Sequence, residues 1–287
     1  MEEKDIYSDI ANRTDGDIYI GVVGPVRTGK STFIKRFMEL LVLPNIDNEY
    51  KRERAIDELP QSASGRTIMT TEPKFIPNEA IEITLDNNVK MKTRLVDCVG
   101  YLVNNAIGYL EDDLPRMVKT PWQEEEMPFE VAAELGTKKV IVDHSTVGII
   151  ITTDGSISDI PRIEYEMAEE RVVSELKEIN KPFIMLMNTE NPYDEYAIMM
   201  ADELSNKYNS TVIPINCLEM NLEDINNIFS KLLYEFTIER IDVNLPKWIR
   251  SLDFENEIKL KLFEGIKNTF DNCKRLKDIG DTYKALL

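Results

Sequence analysis

Short apolar runs and longer amphipathic segments alternate along most of this chain. The apolar runs, which predict buried strands, cover residues 18–23, 81–85, 93–96, 147–151, 182–187 and 211–215. The amphipathic segments, which predict helices, cover residues 32–41, 163–179, 197–208 and 222–236. Because strand and helix follow each other repeatedly, we predict an α/β fold in which helices cover both faces of a mostly parallel central sheet.

Two long segments depart from this pattern. Residues 45–77 are polar and contain several threonines, which predicts a long functional loop with some helix. Residues 100–146 contain several prolines and the acidic run 124–126, which predicts an irregular segment. The surface of this second segment is either solvated or in contact with a partner, and the pattern alone favours neither.

The last part of the chain has a different character. Residues 243–248 resemble a linker, and a charged helix is predicted over residues 255–276. We therefore predict one domain over residues 1–240, followed over residues 241–287 by a linker and the helical start of a second domain, within which this chain ends.

The composition narrows the classes of function. The chain has 34 Lys and Arg residues against 52 Asp and Glu residues, which gives a formal net charge of −18. Nucleic acids and anionic membranes attract basic surfaces, so neither is expected as a direct partner. Three separated cysteines and a single histidine argue against a disulfide framework and a His-rich metal site. Any phosphate group must therefore be held by local geometry.

The sequence also predicts the compartment. Its first residues lack the basic start and the apolar core of a signal peptide. No run approaches the roughly 20 apolar residues that a membrane-spanning helix needs. We therefore expect a cytoplasmic protein that does not insert into a membrane.

One motif carries specific chemistry. Residues 24–31 match the phosphate-binding P-loop pattern G-x-x-x-x-G-K-[ST], between a predicted strand and a predicted helix. The residues predicted to contact the nucleotide in this motif and just after it are Gly24, Pro25, Val26, Arg27, Thr28, Gly29, Lys30, Ser31 and Thr32. The glycines let backbone N–H groups converge on the phosphates, Lys30 reaches the β- and γ-phosphates, and the Ser31 hydroxyl binds Mg²⁺.

Two further segments complete the expected nucleotide site. A predicted strand ends in the pattern D-x-x-G, which places the Asp97 carboxylate near Mg²⁺ and the Gly100 N–H near the γ-phosphate. Between the two motifs, Thr70 and Thr71 are candidates for a switch threonine that binds Mg²⁺, and the sequence does not choose between them. The alternative is a threonine-rich connecting loop without a ligand role.

The residues expected to read the base favour ATP. In GTP-binding proteins of this class an N-K-x-D motif follows the next-to-last strand, and its aspartate accepts both guanine N–H donors. Here that segment reads Asn188-Thr189-Glu190-Asn191, and a neutral amide cannot replace the carboxylate as a double acceptor. We therefore expect adenine, with Asn188 and Thr189 lining the base pocket.

The residues that promote hydrolysis are less defined. Tyr101 occupies the position after D-x-x-G where Ras-like proteins place a water-orienting glutamine. Either hydrolysis is slow, or a switch threonine or a partner subunit positions the water. Arg27 either stabilises charge in the transition state, as an arginine finger does, or is a surface arginine beside an acidic neighbour. The predicted catalytic set is Lys30, Thr70, Thr71, Asp97 and Arg27.

Several blocks of the sequence resemble the stage IV sporulation protein A family of spore-coat morphogenetic ATPases. The blocks that carry the resemblance are 17–24, 26–32, 57–62, 67–75, 94–101, 120–122, 144–146 and 151–155. The resemblance extends over nearly the whole chain to about residue 275. It implies a three-layer, Ras-like (TRAFAC-type) P-loop NTPase fold and hydrolysis of ATP with Mg²⁺. It also implies that Lys30 binds phosphate, Asp97 belongs to the Mg²⁺ site, and Thr70 and Thr71 are sensor threonines.

The resemblance also implies a biological role. Members of the family use ATP hydrolysis to drive self-assembly into a static basement layer for spore coat assembly, on the forespore surface in the mother-cell cytoplasm. The implied partners are other copies of the chain, other coat morphogenetic proteins and a small amphipathic membrane-anchoring peptide, the last contacted through a C-terminal domain. Two alternatives remain: a nucleotide-binding scaffold with vestigial hydrolysis, suggested by Tyr101, and a regulatory GTPase, which the segment 188–191 disfavours.

Overall fold

The structure of the chain is a computed structural model, which describes residues 3–60, 73–85, 89–98, 100–103, 110–111, 114–120, 123–271 and 273–279. It divides into two compact units, Met1–Leu232 and Leu233–Leu287. None of the described helices is both long enough and apolar enough to cross a membrane.

The strands of the described residues form one large sheet and two small ones. In chain order they are β1 (Asp17–Val23), β2 (Lys74–Leu85), β3 (Val89–Asp97), β4 (Leu110–Glu111), β5 (Leu114–Pro115), β6 (Met117–Thr120), β7 (Gln123–Pro128), β8 (Val147–Thr153), β9 (Phe183–Asn188) and β10 (Val212–Ile215). The large sheet has the order β10-β9-β8-β1-β3-β2, while β4 pairs with β5 and β6 pairs with β7.

The large sheet is parallel except at one edge. The pairs β1–β3, β1–β8, β8–β9 and β9–β10 are parallel, and the edge strand β2 runs antiparallel to β3. Every residue of β8 and β9 is buried, as expected for central strands covered on both faces. The six strands predicted from apolar runs are confirmed, and β2 begins at Lys74, several residues before the predicted start.

Helices connect and cover these strands. In chain order the α-helices of the described residues are α1 (Glu3–Arg13), α2 (Lys30–Phe37), α3 (Glu49–Asp57), α4 (Phe129–His144), α5 (Glu166–Glu178), α6 (Glu195–Tyr208), α7 (Leu222–Leu233), α8 (Lys247–Arg250) and α9 (Glu257–Phe270). A π-helical turn (Met38–Val42) and a 3-10 turn (Leu43–Asn45) extend α2, and a second 3-10 turn (Arg162–Tyr165) precedes α5.

The helices that cover the sheet in the first unit lie in two layers. The rings of Tyr7, Phe37 and Phe229 are in edge contact and join α1, α2 and α7. A separate buried cluster joins α4, α5 and α6, with Phe129 and Tyr208 among its largest members. The predicted three-layer α/β fold with a mostly parallel sheet is therefore confirmed, and the predicted helices are present with slightly different ends.

The prediction for residues 100–146 was wrong over much of its length. The strands β6 and β7 form a hairpin, and the 16-residue helix α4 follows it directly. Pro128 does not prevent this, because it is the N-cap of the helix, where no backbone N–H is required. The helix α1 was also missed, although Ile6 and Ile10 on one of its faces are buried.

The second unit contains α8, α9 and a buried ion-pair cluster. The Glu235 carboxylate is buried and accepts from Arg275 at 2.6 Å and from Lys277 at 3.1 Å. The predicted helix over residues 255–276 is shorter in the structure, ending at Phe270.

Candidate nucleotide-binding site

The P-loop connects the central strand β1 to α2, at the carboxyl edge of the sheet. Gly24 and Gly29 have backbone φ angles of 137° and 92°, in a region that residues with a side chain rarely adopt. A Cβ on Gly24 would overlap the Ile151 carbonyl, and one on Gly29 would overlap the Asn188 side-chain amide. Glycine is therefore required at both positions for the loop to lie against β8 and β9.

Lys30, the first residue of α2, is held inside the P-loop. Its Nζ donates to the Pro25 carbonyl at 2.6 Å and to the Gly24 carbonyl at 3.4 Å, and the residue is only 6% exposed. Burial lowers the pKa of Lys30 to about 8, an effect that the nearby Asp97 carboxylate partly opposes. The cation is thus placed under the loop with little water to stabilise its charge, as suits a group that binds phosphate.

Ser31 and Asp97 meet beside Lys30. Asp97 is the last residue of β3 and lies opposite Val22 of β1, and its Oδ2 accepts the Ser31 hydroxyl at 2.7 Å. Burial raises the pKa of the Asp97 carboxyl, while the Ser31 hydrogen bond and the Lys30 charge act in the opposite direction. A buried carboxylate beside a hydroxyl is a hard-oxygen donor set that fits Mg²⁺.

The metal site has few protein ligands. No cluster of three or more His, Cys, Asp or Glu side chains suited to a metal occurs in the described part of the chain. One carboxylate and one hydroxyl fit an Mg²⁺ ion that takes most of its ligands from phosphate and water. The other two predicted metal ligands, Thr70 and Thr71, lie outside the described residues.

Gly100 and Tyr101 lie against the P-loop. Gly100 has a φ angle of 93°, and a Cβ there would come within 2.5 Å of Lys30 Nζ and 2.7 Å of the Gly24 carbonyl oxygen. The Tyr101 N–H donates to the Gly24 carbonyl at 3.1 Å, and the Tyr101 carbonyl accepts from the Val26 N–H at 2.9 Å. The segment after β3 is therefore paired with the P-loop through its backbone.

The side chain of Tyr101 is directed into the protein. It is 2% exposed and belongs to the cluster under α4 and α5, and its hydroxyl donates to the Glu175 carboxylate of α5. Burial and this carboxylate raise the pKa of the Tyr101 hydroxyl. The Tyr101 hydroxyl is therefore hydrogen-bonded to α5 inside the protein and does not orient water in the way expected of a glutamine at this position.

Asn188 and Thr189, which are predicted to line the base pocket, each join two loops of the fold through hydrogen bonds. The Asn188 amide donates to the Thr28 carbonyl at 3.0 Å and accepts from the Cys217 N–H at 3.0 Å, so it joins the P-loop to the loop after β10. The Thr189 hydroxyl donates to Asp154 Oδ2 at 2.6 Å, which joins the loops after β8 and β9. Contact of either residue with a base stays a prediction.

The remaining P-loop residues occupy different positions. Thr28 is fully buried and donates to the Pro25 carbonyl at 3.0 Å, and Val26 is buried in the same cluster as Tyr101. Thr32 is the third residue of α2, and Arg27 has a φ angle of 67°. Burial raises the pKa of the Tyr165 hydroxyl, while its hydrogen bond with Ser158 and the charges of Arg27 and Arg162 oppose that rise.

Asp154 was not predicted as part of this site. Its carboxylate accepts from the Thr189 hydroxyl, and from the N–H and hydroxyl of Ser156 at 2.9 and 2.6 Å. The available signal was its place directly after a wholly buried strand, where loops at the carboxyl edge of a parallel sheet surround a ligand.

Comparison with known proteins identifies the family. A model of the stage IV sporulation protein A ATPase domain matches residues 1–237, and a model of the middle domain of the same protein matches residues 238–286. Relatives named stage IV sporulation protein A from Bacillus anthracis and Bacillus subtilis (strain 168) are each 53% identical over 279 residues, which is 97% of this chain and 57% of each relative.

A third relative of that name and a solved structure add to the comparison. The relative, from Clostridioides difficile (strain 630), is 52% identical over 96% of this chain, and the chain covers 56% of it. A GTP-binding protein from Sulfolobus solfataricus in complex with GDP is 18% identical, with a TM-score of 0.42, over 75% of this chain and 52% of that one.

The chain therefore spans little more than half the length of the curated relatives that it matches, 56–57%. The ATPase-domain model covers most of the chain, and the relatives are more than half identical to it. The fold is that of a P-loop NTPase, with the phosphate-binding motif between β1 and α2. The chain belongs to the stage IV sporulation protein A family and carries its ATPase domain.

Proposed function

We propose that this chain is an Mg²⁺-dependent ATPase that converts ATP and water to ADP and phosphate. The observation that carries the proposal is the meeting of Lys30, the Ser31–Asp97 pair and Gly100 at the carboxyl ends of β1 and β3. These are the groups that phosphoryl transfer uses, in which positioning and charge stabilisation supply most of the catalysis.

Each residue has a defined part in the proposed reaction. The backbone N–H groups of the P-loop and the Lys30 ammonium bind the β- and γ-phosphates, and the start of α2 adds its positive end. Ser31 and Asp97 hold Mg²⁺, which when bound neutralises charge on the phosphates. The Gly100 N–H contacts the γ-phosphate, while Arg27 stabilises developing charge or pairs at the surface. Thr70 and Thr71 are proposed as the sensor threonines.

The preference for adenine rests on the segment after β9. Asn191 stands where a guanine-reading aspartate is expected, and its amide offers one acceptor oxygen and one donor group. A guanine base would therefore leave an N–H donor without its carboxylate, which costs binding free energy in a desolvated pocket.

The biological role is proposed from the family. ATP hydrolysis drives self-assembly of the chain into a static polymeric basement layer for spore coat assembly, peripheral to the forespore surface in the mother-cell cytoplasm. We propose residues 1–240 as the ATPase domain and residues 241–287 as the start of a second domain. We propose that contacts with other coat proteins and with a small amphipathic anchor peptide involve the part of the relatives that this chain does not cover.

Substitution of Lys30 tests the enzymatic proposal. In Lys30→Ala we expect ATP turnover to fall by about 100-fold or more, because the transferred phosphoryl group loses its buried cation. The matched control is Lys35→Ala on the same helix, where the side chain is 43% exposed and near Glu39. Phosphate release from ATP and GTP is measured for all three proteins. Unchanged turnover in Lys30→Ala would rule out the site, and equal GTP turnover would rule out the adenine preference.

The buried side chain of Tyr101 favours a second candidate function, a nucleotide-binding scaffold. If nothing orients the attacking water, the chain binds ATP and releases phosphate negligibly at every protein concentration. Phosphate release that rises more steeply than protein concentration would instead indicate that a neighbouring copy completes the active site. A titration of protein at saturating ATP distinguishes the two.

A further inference from the structure

The backbone of Tyr101 hydrogen-bonds the segment after β3 to the P-loop. This segment includes Gly100, which is proposed to contact the γ-phosphate. The Tyr101 N–H and carbonyl form the two hydrogen bonds to Gly24 and Val26 described above. The Gly24 carbonyl also accepts from Lys30 Nζ, so one P-loop oxygen is shared by the phosphate-binding lysine and by Tyr101. The position of Tyr101 therefore affects both Gly100, its neighbour, and the loop that surrounds the phosphates.

The side chain of Tyr101 is fixed at its far end by helices α5 and α4. The hydroxyl donates to Glu175, whose carboxylate is 3.7 Å from Arg171 on the same helix. Arg171 lies 5.6 Å from the Tyr101 ring centroid and forms paired hydrogen bonds to Glu134 of α4. Glu175 and Glu134 are 19% and 22% exposed and Arg171 is 50% exposed, so the two carboxylates are largely shielded from water while the guanidinium between them reaches solvent.

We propose that Tyr101 is a positioning residue that holds Gly100 in register with the P-loop and so sets the preference for ATP over ADP, with Glu175 as its anchor. This inference rests on the proposed function, in which Gly100 contacts the γ-phosphate. The residue that replaces the water-orienting glutamine thus acts through the backbone while its side chain is tied to α5.

The two nucleotides are expected to respond differently. Both ADP and ATP contact the P-loop backbone and Lys30, whereas only ATP carries the γ-phosphate that faces Gly100. Loss of the hydroxyl anchor leaves the Gly100–Tyr101 peptide less tightly held, by its two backbone hydrogen bonds and the buried ring alone, and binding then has to restore its position. The free-energy cost of repositioning Gly100 therefore lowers the affinity for ATP and not the affinity for ADP, which has no γ-phosphate. General destabilisation of the fold would instead weaken both nucleotides alike.

The test compares Tyr101→Phe with the wild type for affinity towards ADP and a non-hydrolysable ATP analogue, each with Mg²⁺. Tyr101→Phe keeps the buried ring and removes the hydroxyl. We expect the affinity for the ATP analogue to fall about tenfold and the affinity for ADP to change by less than about twofold, since a hydrogen bond to a carboxylate is lost. Glu175→Leu removes the acceptor instead and is expected to give the same selective loss.

The two substitutions also form a double-mutant cycle. Because they remove the same interaction, the double variant is expected to lose no more ATP affinity than either single variant. Glu175→Gln keeps an acceptor oxygen and is expected to retain most of the preference for ATP. Tyr208→Phe is the matched control, because its buried hydroxyl also bonds a carboxylate of α5, Glu169, at 3.4 Å.

Three results would overturn the inference. Equal loss of affinity for both nucleotides in Tyr101→Phe would indicate a purely structural role. The same selective loss in Tyr208→Phe would show that any tyrosine anchored on α5 produces it. Equal wild-type affinities for the two nucleotides would show that Gly100 does not sense the γ-phosphate. Lys30→Ala separates these results from a failure of the proposed function. If this variant loses binding of both nucleotides, the assignment of the nucleotide site stands even where the inference about Tyr101 fails.

Discussion

At the scale of single residues, Lys30 shows how an acidic protein can bind phosphate. The chain has a net charge of −18, yet this one ammonium is buried under backbone carbonyls beside the start of a helix. Its lowered pKa, about 8 against an ordinary 10.5, reflects the free-energy cost of charging it without water. Phosphate oxygens would supply the missing stabilisation of the charge.

This leads to a prediction about pH. A bound phosphate favours the charged amine, so binding of ATP above about pH 8 should be coupled to the uptake of a proton by Lys30. The affinity should therefore fall as pH rises above 8, by at most about tenfold per pH unit. Calorimetry in buffers of different ionisation enthalpy measures the proton uptake at pH 8.5.

Two variants define the controls for this pH prediction. Lys35→Ala should show the same uptake as the wild type, and Lys30→Arg should show none, because a guanidinium stays charged throughout. Lys30 should also make the stability of the nucleotide-free protein depend on pH. The unfolded chain holds the proton of Lys30 more tightly than the folded chain does, so the free energy of unfolding should rise with pH between about 8 and 10.5. Affinity that is independent of pH up to 10 would contradict the assignment of the phosphate cation to Lys30.

At the scale of secondary-structure elements, a buried polar cluster on α5 holds the loop after β8. Glu169 is fully buried and accepts from the two terminal guanidinium nitrogens of Arg162, at 2.6 and 2.7 Å. It also accepts from the hydroxyls of Thr152 on β8 and Tyr208 on α6. Burial raises the pKa of the Glu169 carboxyl, and Arg162 opposes that rise. The cluster thus ties a strand and two helices at one buried carboxylate.

Removal of Arg162 is predicted to be strongly destabilising. In Arg162→Met the Glu169 carboxylate stays buried without its cation, and we expect the free energy of unfolding to fall by about 3–5 kcal/mol. Because the native pKa of Glu169 is then raised further above its unfolded value, the loss should be smaller at pH 5 than at pH 8. Urea unfolding at both pH values measures this.

An exposed ion pair provides the comparison for Arg162→Met. Lys90 and Glu82 pair across β3 and β2 at 3.6 Å with exposures of 64% and 53%. In Lys90→Met we expect a loss below about 1 kcal/mol, with little dependence on pH. If the two variants lost similar amounts, the Arg162–Glu169 pair would not be the buried anchor described here.

Elements were predicted well where periodicity was clear and poorly where it was mixed. The strands β8 and β9 are continuous apolar runs and were predicted close to their observed bounds. The helix α4 was missed because Val131 and Val142 are exposed apolar residues and Gly136 interrupts its middle, so no clean apolar face is visible. Its buried face depends on the strands that it covers.

At the scale of the whole chain, the acidic surface bears on where the protein binds. With 52 acidic against 34 basic residues, the chain is repelled by anionic lipid at distances up to about the Debye length, roughly 10 Å at 0.1 M salt. Any peripheral location at a membrane is therefore proposed to depend on partners, and not on this surface.

Vesicle binding tests this proposal. We expect vesicles of phosphatidylserine and phosphatidylcholine to bring no more of the chain into the pellet than sediments without vesicles, both with and without ATP and Mg²⁺. A polybasic peptide is the positive control, since about 1 kcal/mol per basic residue is gained near such a surface. Salt-sensitive cosedimentation of the chain would show that a local basic patch overrides the net charge.

The local sequence was sufficient for the predicted class of fold and for the proposed phosphate site. Strand and helix periodicity is read over a few residues, and the P-loop needs its glycines, lysine and serine to be contiguous because they shape a single turn of backbone. Asp97 could be placed near Lys30 because neighbouring parallel strands end at the same edge of a sheet.

Other features depended on contacts between distant residues. Tyr101 and Glu175 are 74 positions apart, and Asn188 and Thr28 are 160 apart, so no local pattern pairs them. The same is true of the carboxylate of Asp154, which meets Thr189 only because β8 and β9 are adjacent. Such hydrogen bonds depend on which side chains the packed layers bring within about 3 Å. Which side chains come this close is determined by the fold of the whole chain and cannot be derived from any short segment of the sequence.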